Sequence, residues 1–145
     1  MKFCAFFGHG DWDYREYQEE IKNIIVDLIE NYQVSQFYTG GRGAFDRICA
    51  CTVASLREGY PQIKNTLVLS YMPKSDWVLP AVYDDSVYLL EEKVPPKYAI
   101  VRTNRVLVDK VDFVVTAVRR GWGGARLAHD YATSKKKIFK NLFSV

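Results

Sequence analysis

Short apolar runs that each lead into a loop and then into a helical pattern recur along this chain of 145 residues. After the first run, for example, Ile21, Ile24, Ile25, Leu28 and Ile29 follow at helical spacing. Alternation of strands with helices is typical of parallel sheets with right-handed crossovers and helices on both faces. The sequence therefore predicts an α/β fold, a Rossmann-like three-layer domain with a mostly parallel sheet of about five strands.

The bounds of the predicted elements follow from where each pattern begins and ends. Strands are predicted at 2–7, 36–39, 66–71, 112–118 and 137–142, with a short extra strand at 86–90. Helices are predicted from Asp13 to about residue 29 and over 45–57, 98–110 and 125–134. Asp13 and Glu16 have the spacing of a capping box, which would start the first helix at Asp13. Since the chain shows no repeat or linker, we expect one domain over residues 1–145.

Three of the predicted strands run into loops that are rich in glycine. In a parallel sheet these loops lie at the carboxyl edge, where ligands bind. Glycine lets the backbone approach a phosphate, and the helix that follows offers free N–H groups and a positive dipole end. We therefore expect a phosphate or nucleotide site, with the phosphate on the second loop. The loop residues are Gly8, His9 and Gly10; Gly40, Gly41, Arg42 and Gly43; and Gly121, Trp122, Gly123 and Gly124.

Side chains in and behind the first two loops are candidates for ligand contacts. Arg42 is either a bidentate donor to a phosphate or a solvated loop arginine. Asp46 is either a partner of the helix dipole or an acceptor for a ribose hydroxyl or an amine. His9 is either an acid or base, or a hydrogen-bond donor or cap.

The second half of the chain adds further candidates. Arg102 and Arg105 are three residues apart, so they share a helix face, with Asn104 between them. The pair is either a phosphate-binding face or a plain surface face. Trp122 would either stack on a base or cover the core.

Composition narrows the classes of partner. The net charge is +3, from 20 Lys and Arg against 17 Asp and Glu, which is milder than DNA-binding domains usually show. Nucleic acid is therefore an unlikely partner in this interpretation. No apolar stretch reaches the roughly 18 residues that a membrane span needs. The three cysteines and two histidines show no metal-ligand spacing, so neither a metal nor a cofactor is expected, and reduced cysteines favour the cytoplasm.

The motifs together resemble the SLOG superfamily, the Rossmann-like group that includes Smf/DprA and Lonely Guy proteins. Within it the chain is similar to the short bacterial and phage YpsA/YoqJ-like branch. The order and spacing of the matching segments cover nearly the whole chain. They are Phe6-Phe7-Gly8-His9-Gly10, Tyr38-Thr39-Gly40-Gly41-Arg42-Gly43-Ala44-Phe45-Asp46, Arg102-Thr103-Asn104-Arg105 with Asp109, and Gly121-Trp122-Gly123-Gly124-Ala125.

The resemblance implies a nucleotide or ADP-ribose-like ligand, held between the second and the last glycine-bearing regions and sensed or sequestered in stress or phage conflict. A homodimer or larger homo-oligomer is also expected, as in many SLOG relatives. The alternative is a Lonely Guy-like nucleotide N-glycosidase, with Asp130 and Asp46 as its catalytic carboxylates. The Lonely Guy hallmark Pro-Gly-Gly-x-Gly-Thr-x-x-Glu has Trp122, Arg126, Leu127 and Asp130 here in place of Pro, the third Gly, Thr and Glu.

Overall fold

A computed structural model describes residues 1–144 as alternating strands and helices. The strands are β1 (Lys2–Gly8), β2 (Val34–Thr39), β3 (Lys64–Leu69), β4 (Asp85–Tyr88), β5 (Phe113–Ala117) and β6 (Ile138–Asn141). The helices are α1 (Gln18–Tyr32), α2 (Ala44–Leu56), α3 (Pro96–Lys110) and α4 (Gly124–Ser134), with a short 3-10 turn at Arg15–Tyr17. The expected α/β class is confirmed.

All six strands form one parallel sheet in the order β4-β3-β2-β1-β5-β6. The sheet has six strands rather than about five, because the short segment expected near 86–90 pairs with β3 from Thr66 to Leu69. The chain fills one side of the sheet from β1 to β4 and then crosses to the other side with β5. The order of strands therefore reverses between β1 and β5, which is the switch point where open α/β sheets bind ligands.

Alternate residues of β1 face two different cores. Cys4 and Phe6 pack in a cluster with the apolar residues of α1 and α2, whereas Ala5 and Phe7 pack with those of α3 and α4. Because side chains of a strand alternate between faces, each strand serves both helix layers. This gives the expected three layers. Within residues 1–144, no helix combines the length and the apolar character that crossing a bilayer requires.

The start of the first helix differs from the prediction. α1 begins at Gln18 and has no side-chain cap, so the capping box expected from Asp13 and Glu16 is absent. The Asp13 carboxylate instead accepts hydrogen bonds from the backbone N–H and the Nε of Arg15, at 3.0 and 3.1 Å. These local bonds hold a 3-10 turn, which takes the place of the first helical turn.

Candidate ligand-binding cleft

The loops that follow β1, β2 and β5 meet at the carboxyl edge of the sheet, around its switch point. They border a cleft of about 130 Å³. At least one residue of each glycine-bearing region lines the cleft, together with one polar residue of α2 and one of α3. The lining residues are Phe7, Gly8, Gly40, Arg42, Asp46, Ile100, Asn104, Gly124 and Ala125.

The glycines of the first two loops serve the packing between those loops. A side chain at Gly8 would overlap the ring of Phe45, and one at Gly43 would overlap the backbone of Gly10. A Cβ at Gly41 would lie 2.6 Å from Leu67, and these two residues line a different hollow. Gly41 and Gly43 also have positive φ, at 68° and 95°, which favours glycine. Of these residues, Gly8 and Gly40 line the cleft, and Gly10, Gly41 and Gly43 do not.

Two backbone N–H groups at the start of α2 already have partners in the protein. The N–H of Ala44 donates to Gly10 O at 2.9 Å, and that of Arg42 donates to Asp46 Oδ2 at 2.9 Å. A phosphate on the second loop would have to compete with these bonds. The expectation that this loop holds the phosphate stays a prediction.

The start of α4 is open by comparison. No side chain within the described residues caps it, and its first turn contains no acidic residue. A Cβ at Gly121, Gly123 or Gly124 would meet no atom within 4 Å. Because the first N–H groups of a helix lack intrahelical acceptors, this end of α4 offers donors and a positive dipole to an anion in the cleft.

Asp46 is a buried carboxylate on the wall of the cleft. Burial raises its pKa to about 6, against the lowering influence of the Arg42 N–H and of the Arg42 charge. The Arg42 side chain also borders the cleft and donates from Nη1 to Ser70 Oγ at 3.3 Å. The cleft therefore combines one guanidinium with one carboxyl group that gains its proton near pH 6.

His9 joins the loop after β1 to the loop after β5. Its side chain is buried, and its Nε2 accepts the backbone N–H groups of Arg119 at 2.9 Å and Arg120 at 3.2 Å. Burial and the nearby Arg120 charge lower the pKa of His9, while Asp11 opposes them. His9 thus acts as an acceptor that positions the loop after β5, and it is absent from the cleft lining.

Only one of the three polar candidates on α3 reaches the cleft. Asn104 lines it, whereas Arg102 pairs with Glu92 at 3.3 Å beside a separate hollow. Arg105 lies 5.4 Å from the ring centroid of Tyr131 on α4. Although Arg102 and Arg105 are three residues apart, their side chains contact different partners and line different hollows, so the structure does not bring them together at one phosphate.

The last two candidates lie outside the cleft. Trp122 is 69% exposed, with the Arg120 guanidinium 5.2 Å from its ring centroid, so it does not cover the core. Asp130 is exposed and forms an ion pair of 3.0 Å with Arg126. The two carboxylates proposed for catalysis, Asp46 and Asp130, are therefore not brought together. In residues 1–144, no group of three or more His, Cys, Asp or Glu side chains could hold a metal ion.

The sequence analysis did not identify three residues near the site, which are Ser70, Asp11 and Arg120. Ser70 accepts from Arg42, and Asp11 binds Arg120 at 2.8 Å. Ser70 follows a strand with no glycine signal, and nothing in the sequence links Asp11 to a residue more than a hundred positions later. The only available signal was that Asp11 and Arg120 each adjoin a glycine-rich loop.

Two solved structures share this fold. DNA processing protein A from Helicobacter pylori, known for a single-stranded DNA binding mode, has 14% sequence identity and a TM-score of 0.65; the match covers 96% of this chain and 64% of that one. TM1055, a Northeast Structural Genomics Consortium target, has 16% identity and a TM-score of 0.52, with 95% and 72% covered. The chain thus spans less than two thirds of DNA processing protein A.

No family model matches the sequence. No curated protein matches it either. At 14% and 16% identity, the similarity to the two solved structures is a similarity of fold. The chain therefore has the Rossmann-like α/β fold that its resemblance to the SLOG superfamily implies.

Proposed function

We propose that the cleft binds the phosphate of a nucleotide or of a nucleotide-derived molecule. The observation that carries the proposal is the meeting of Arg42, Asn104 and the uncapped start of α4 around one cleft at the switch point. A guanidinium and helix N–H groups are strong donors to phosphate oxygens. Asn104 supplies both a donor and an acceptor for neighbouring hydroxyl groups.

The size of the cleft indicates which part of the ligand it takes. Sites that enclose a whole drug-sized ligand measure roughly 300–1,000 Å³, whereas this cleft measures about 130 Å³. It accommodates a phosphate with its sugar, and the base would extend beyond it. We propose that such binding serves to sense or sequester the ligand, as the resemblance to stress- and phage-related SLOG proteins implies.

The test uses two glycines of the same loop. Gly124 lines the cleft and Gly121 does not, and neither has neighbours within 4 Å of an added Cβ. Gly124→Val should place methyl groups where the phosphate approaches and should weaken AMP at least about tenfold by calorimetry, a loss of ~1.4 kcal/mol. Gly121→Val is the matched control with ribose 5-phosphate, which probes the cleft alone: it should bind this probe as the parent does, whereas Gly124→Val should bind it more weakly. Equal affinity of the parent and Gly124→Val would contradict the proposal.

The N-glycosidase alternative depends on Asp46. It is the only carboxyl group in the cleft lining, and its raised pKa suits a general acid. Incubation with nucleoside monophosphates and chromatography for free base tests this alternative. Released base that disappears in Asp46→Asn would establish the enzyme, and AMP recovered intact would favour binding alone.

Nucleic acid is a stronger candidate partner than the net charge alone indicates. DNA processing protein A binds single-stranded DNA, which goes against the expectation that nucleic acid is an unlikely partner for a chain of this fold. The single domain over residues 1–145, the homo-oligomer and the cytoplasmic location stay predictions. Light scattering at high protein concentration tests the homo-oligomer, and a monomer mass would contradict it.

A further inference from the structure

The loop between β5 and α4, residues 118–123, carries an aromatic side chain that the protein leaves open. Although Trp122 is 69% exposed, one part of its indole is supported by the Arg120 guanidinium at 5.2 Å from the ring centroid. Arg120 is in turn held by an ion pair of 2.8 Å with Asp11. An exposed indole that is supported in this way offers a flat surface on which another aromatic ring can stack.

Arg119, three residues before Trp122 in the same loop, offers a second positive charge. Its guanidinium lies 4.6 Å from the ring centroid of Phe143 and 5.1 Å from that of Trp12. No salt bridge between Arg119 and a carboxylate occurs in residues 1–144. Because a guanidinium stacked on aromatic rings keeps its N–H donors along its edge, Arg119 can still bind an external phosphate.

The backbone of this loop is fixed before any ligand arrives. The N–H groups of Arg119 and Arg120 donate to His9 Nε2 at 2.9 and 3.2 Å. That of Val118 donates to Asn141 Oδ1 at 3.0 Å. Arg126 Nη1 donates to Arg120 O at 3.4 Å. A loop held by these bonds loses little conformational entropy on binding, which favours a recognition surface over a flexible connection.

Neither Trp122 nor Arg119 lines the cleft, but Gly124 does, only two residues after Trp122. We propose that residues 118–123 form a second contact region for the ligand whose first phosphate lies in the cleft. Trp122 stacks on an unpaired nucleobase, and Arg119 binds a second phosphate. This inference rests on the proposed function and adds to it the ligand class, a nucleobase flanked by two phosphates. A free dinucleotide and a single-stranded nucleic acid share this chemistry.

The experiment compares probes that carry successively more of this ligand. Ribose 5-phosphate tests the cleft alone, AMP adds the base, and the dinucleotide pApA adds the second phosphate. Trp122→Ala should bind ribose 5-phosphate as the parent does and should weaken AMP at least about fivefold, since stacking on an aromatic side chain is lost. Arg119→Ala should leave AMP unchanged, weaken pApA by a similar factor and reduce the salt dependence of pApA binding.

Matched controls separate these effects from general loss of charge or aromatic surface. Arg15 is an exposed arginine outside the cleft and the loop, and Tyr88 is an exposed aromatic residue on the edge strand β4. Arg15→Ala and Tyr88→Ala should bind all three probes as the parent does. Circular dichroism and thermal unfolding establish that each variant is folded.

Two results would overturn the inference. One is a folded Trp122→Ala protein that binds AMP and pApA as tightly as the parent. The other is an Arg119→Ala protein with unchanged pApA affinity and salt dependence. If the proposed function itself were wrong, Gly124→Val would bind ribose 5-phosphate as the parent does, and this result distinguishes the two cases. A short oligo(dA) distinguishes a single strand from a free dinucleotide as the ligand. Tighter binding than that of pApA indicates that the second contact region serves a single strand, and equal binding indicates a free dinucleotide.

Discussion

Replacement of the buried carboxyl group in the cleft should make the protein more stable at neutral pH. Asp46 has an ordinary pKa of 3.8, and burial raises its pKa to about 6 in the folded chain. Between these two values the folded state holds a proton that the unfolded state has released. The free energy of unfolding contributed by this group therefore falls as the pH rises through this window, and it stays lower above it.

The size of the effect follows from the two pKa values. A difference of one pKa unit equals 1.36 kcal/mol, so the interval from 3.8 to about 6 corresponds to roughly 3 kcal/mol. In Asp46→Asn this titration is absent, while the amide oxygen can still accept the N–H of Arg42. Relative to the parent, the variant should thus gain roughly 3 kcal/mol between about pH 4 and neutral pH.

Urea unfolding of both proteins across this pH range measures the gain. Other carboxyl groups affect both proteins alike and cancel in the difference. Asp13 provides a control of opposite sign, because the hydrogen bond from the Arg15 side chain lowers its pKa to about 2. Asp13→Asn should lose stability relative to the parent as the pH rises from about 2 through the ordinary pKa of 3.8. If the stability curves of the parent and Asp46→Asn ran parallel from acid to neutral pH, Asp46 would not be the buried, proton-binding group described.

Three further substitutions test other parts of the site. Gly43→Ala should lower the free energy of unfolding by about 2 kcal/mol, because its φ is 95° and the new methyl group would overlap Gly10; urea unfolding measures this, and Gly121→Ala should change little. His9→Ala should cost about 2 kcal/mol in the same assay, since two part-buried N–H groups lose their acceptor. Asp130→Asn should leave AMP affinity unchanged by calorimetry, because this carboxylate lies outside the cleft. A clear loss of AMP affinity would indicate that Asp130 belongs to the binding site.

The sequence allowed prediction of the fold and of the edge where ligands bind, because both depend on local patterns. Alternating apolar runs and helical periodicity predict a parallel sheet, and strand ends rich in glycine lie together at one edge of it. The sixth strand was uncertain because Asp85–Tyr88 is short and half-exposed, so its apolar signal is weak.

The role of each loop residue could not be predicted in the same way. Whether a glycine faces a ligand or a neighbouring loop depends on contacts such as those of Gly43 with Gly10 and of Gly8 with Phe45. For Arg102 and Arg105, helical spacing predicts a shared face but not the partner of each side chain. Those partners, Glu92 and Tyr131, lie outside α3, in the segment before it and in α4.

The close approach of Gly10 and Gly43 has a consequence for how the cleft can move. The loops after β1 and β2 touch backbone to backbone, and Ala44 N–H joins them through a bond of 2.9 Å to Gly10 O. Neither loop can shift without displacing the other, so together they form one rigid wall of the cleft. The glycines of the opposite loop, from Gly121 to Gly124, face open space. Ligands of different size must therefore be accommodated in the open space beside the start of α4 and not by movement of the loops after β1 and β2.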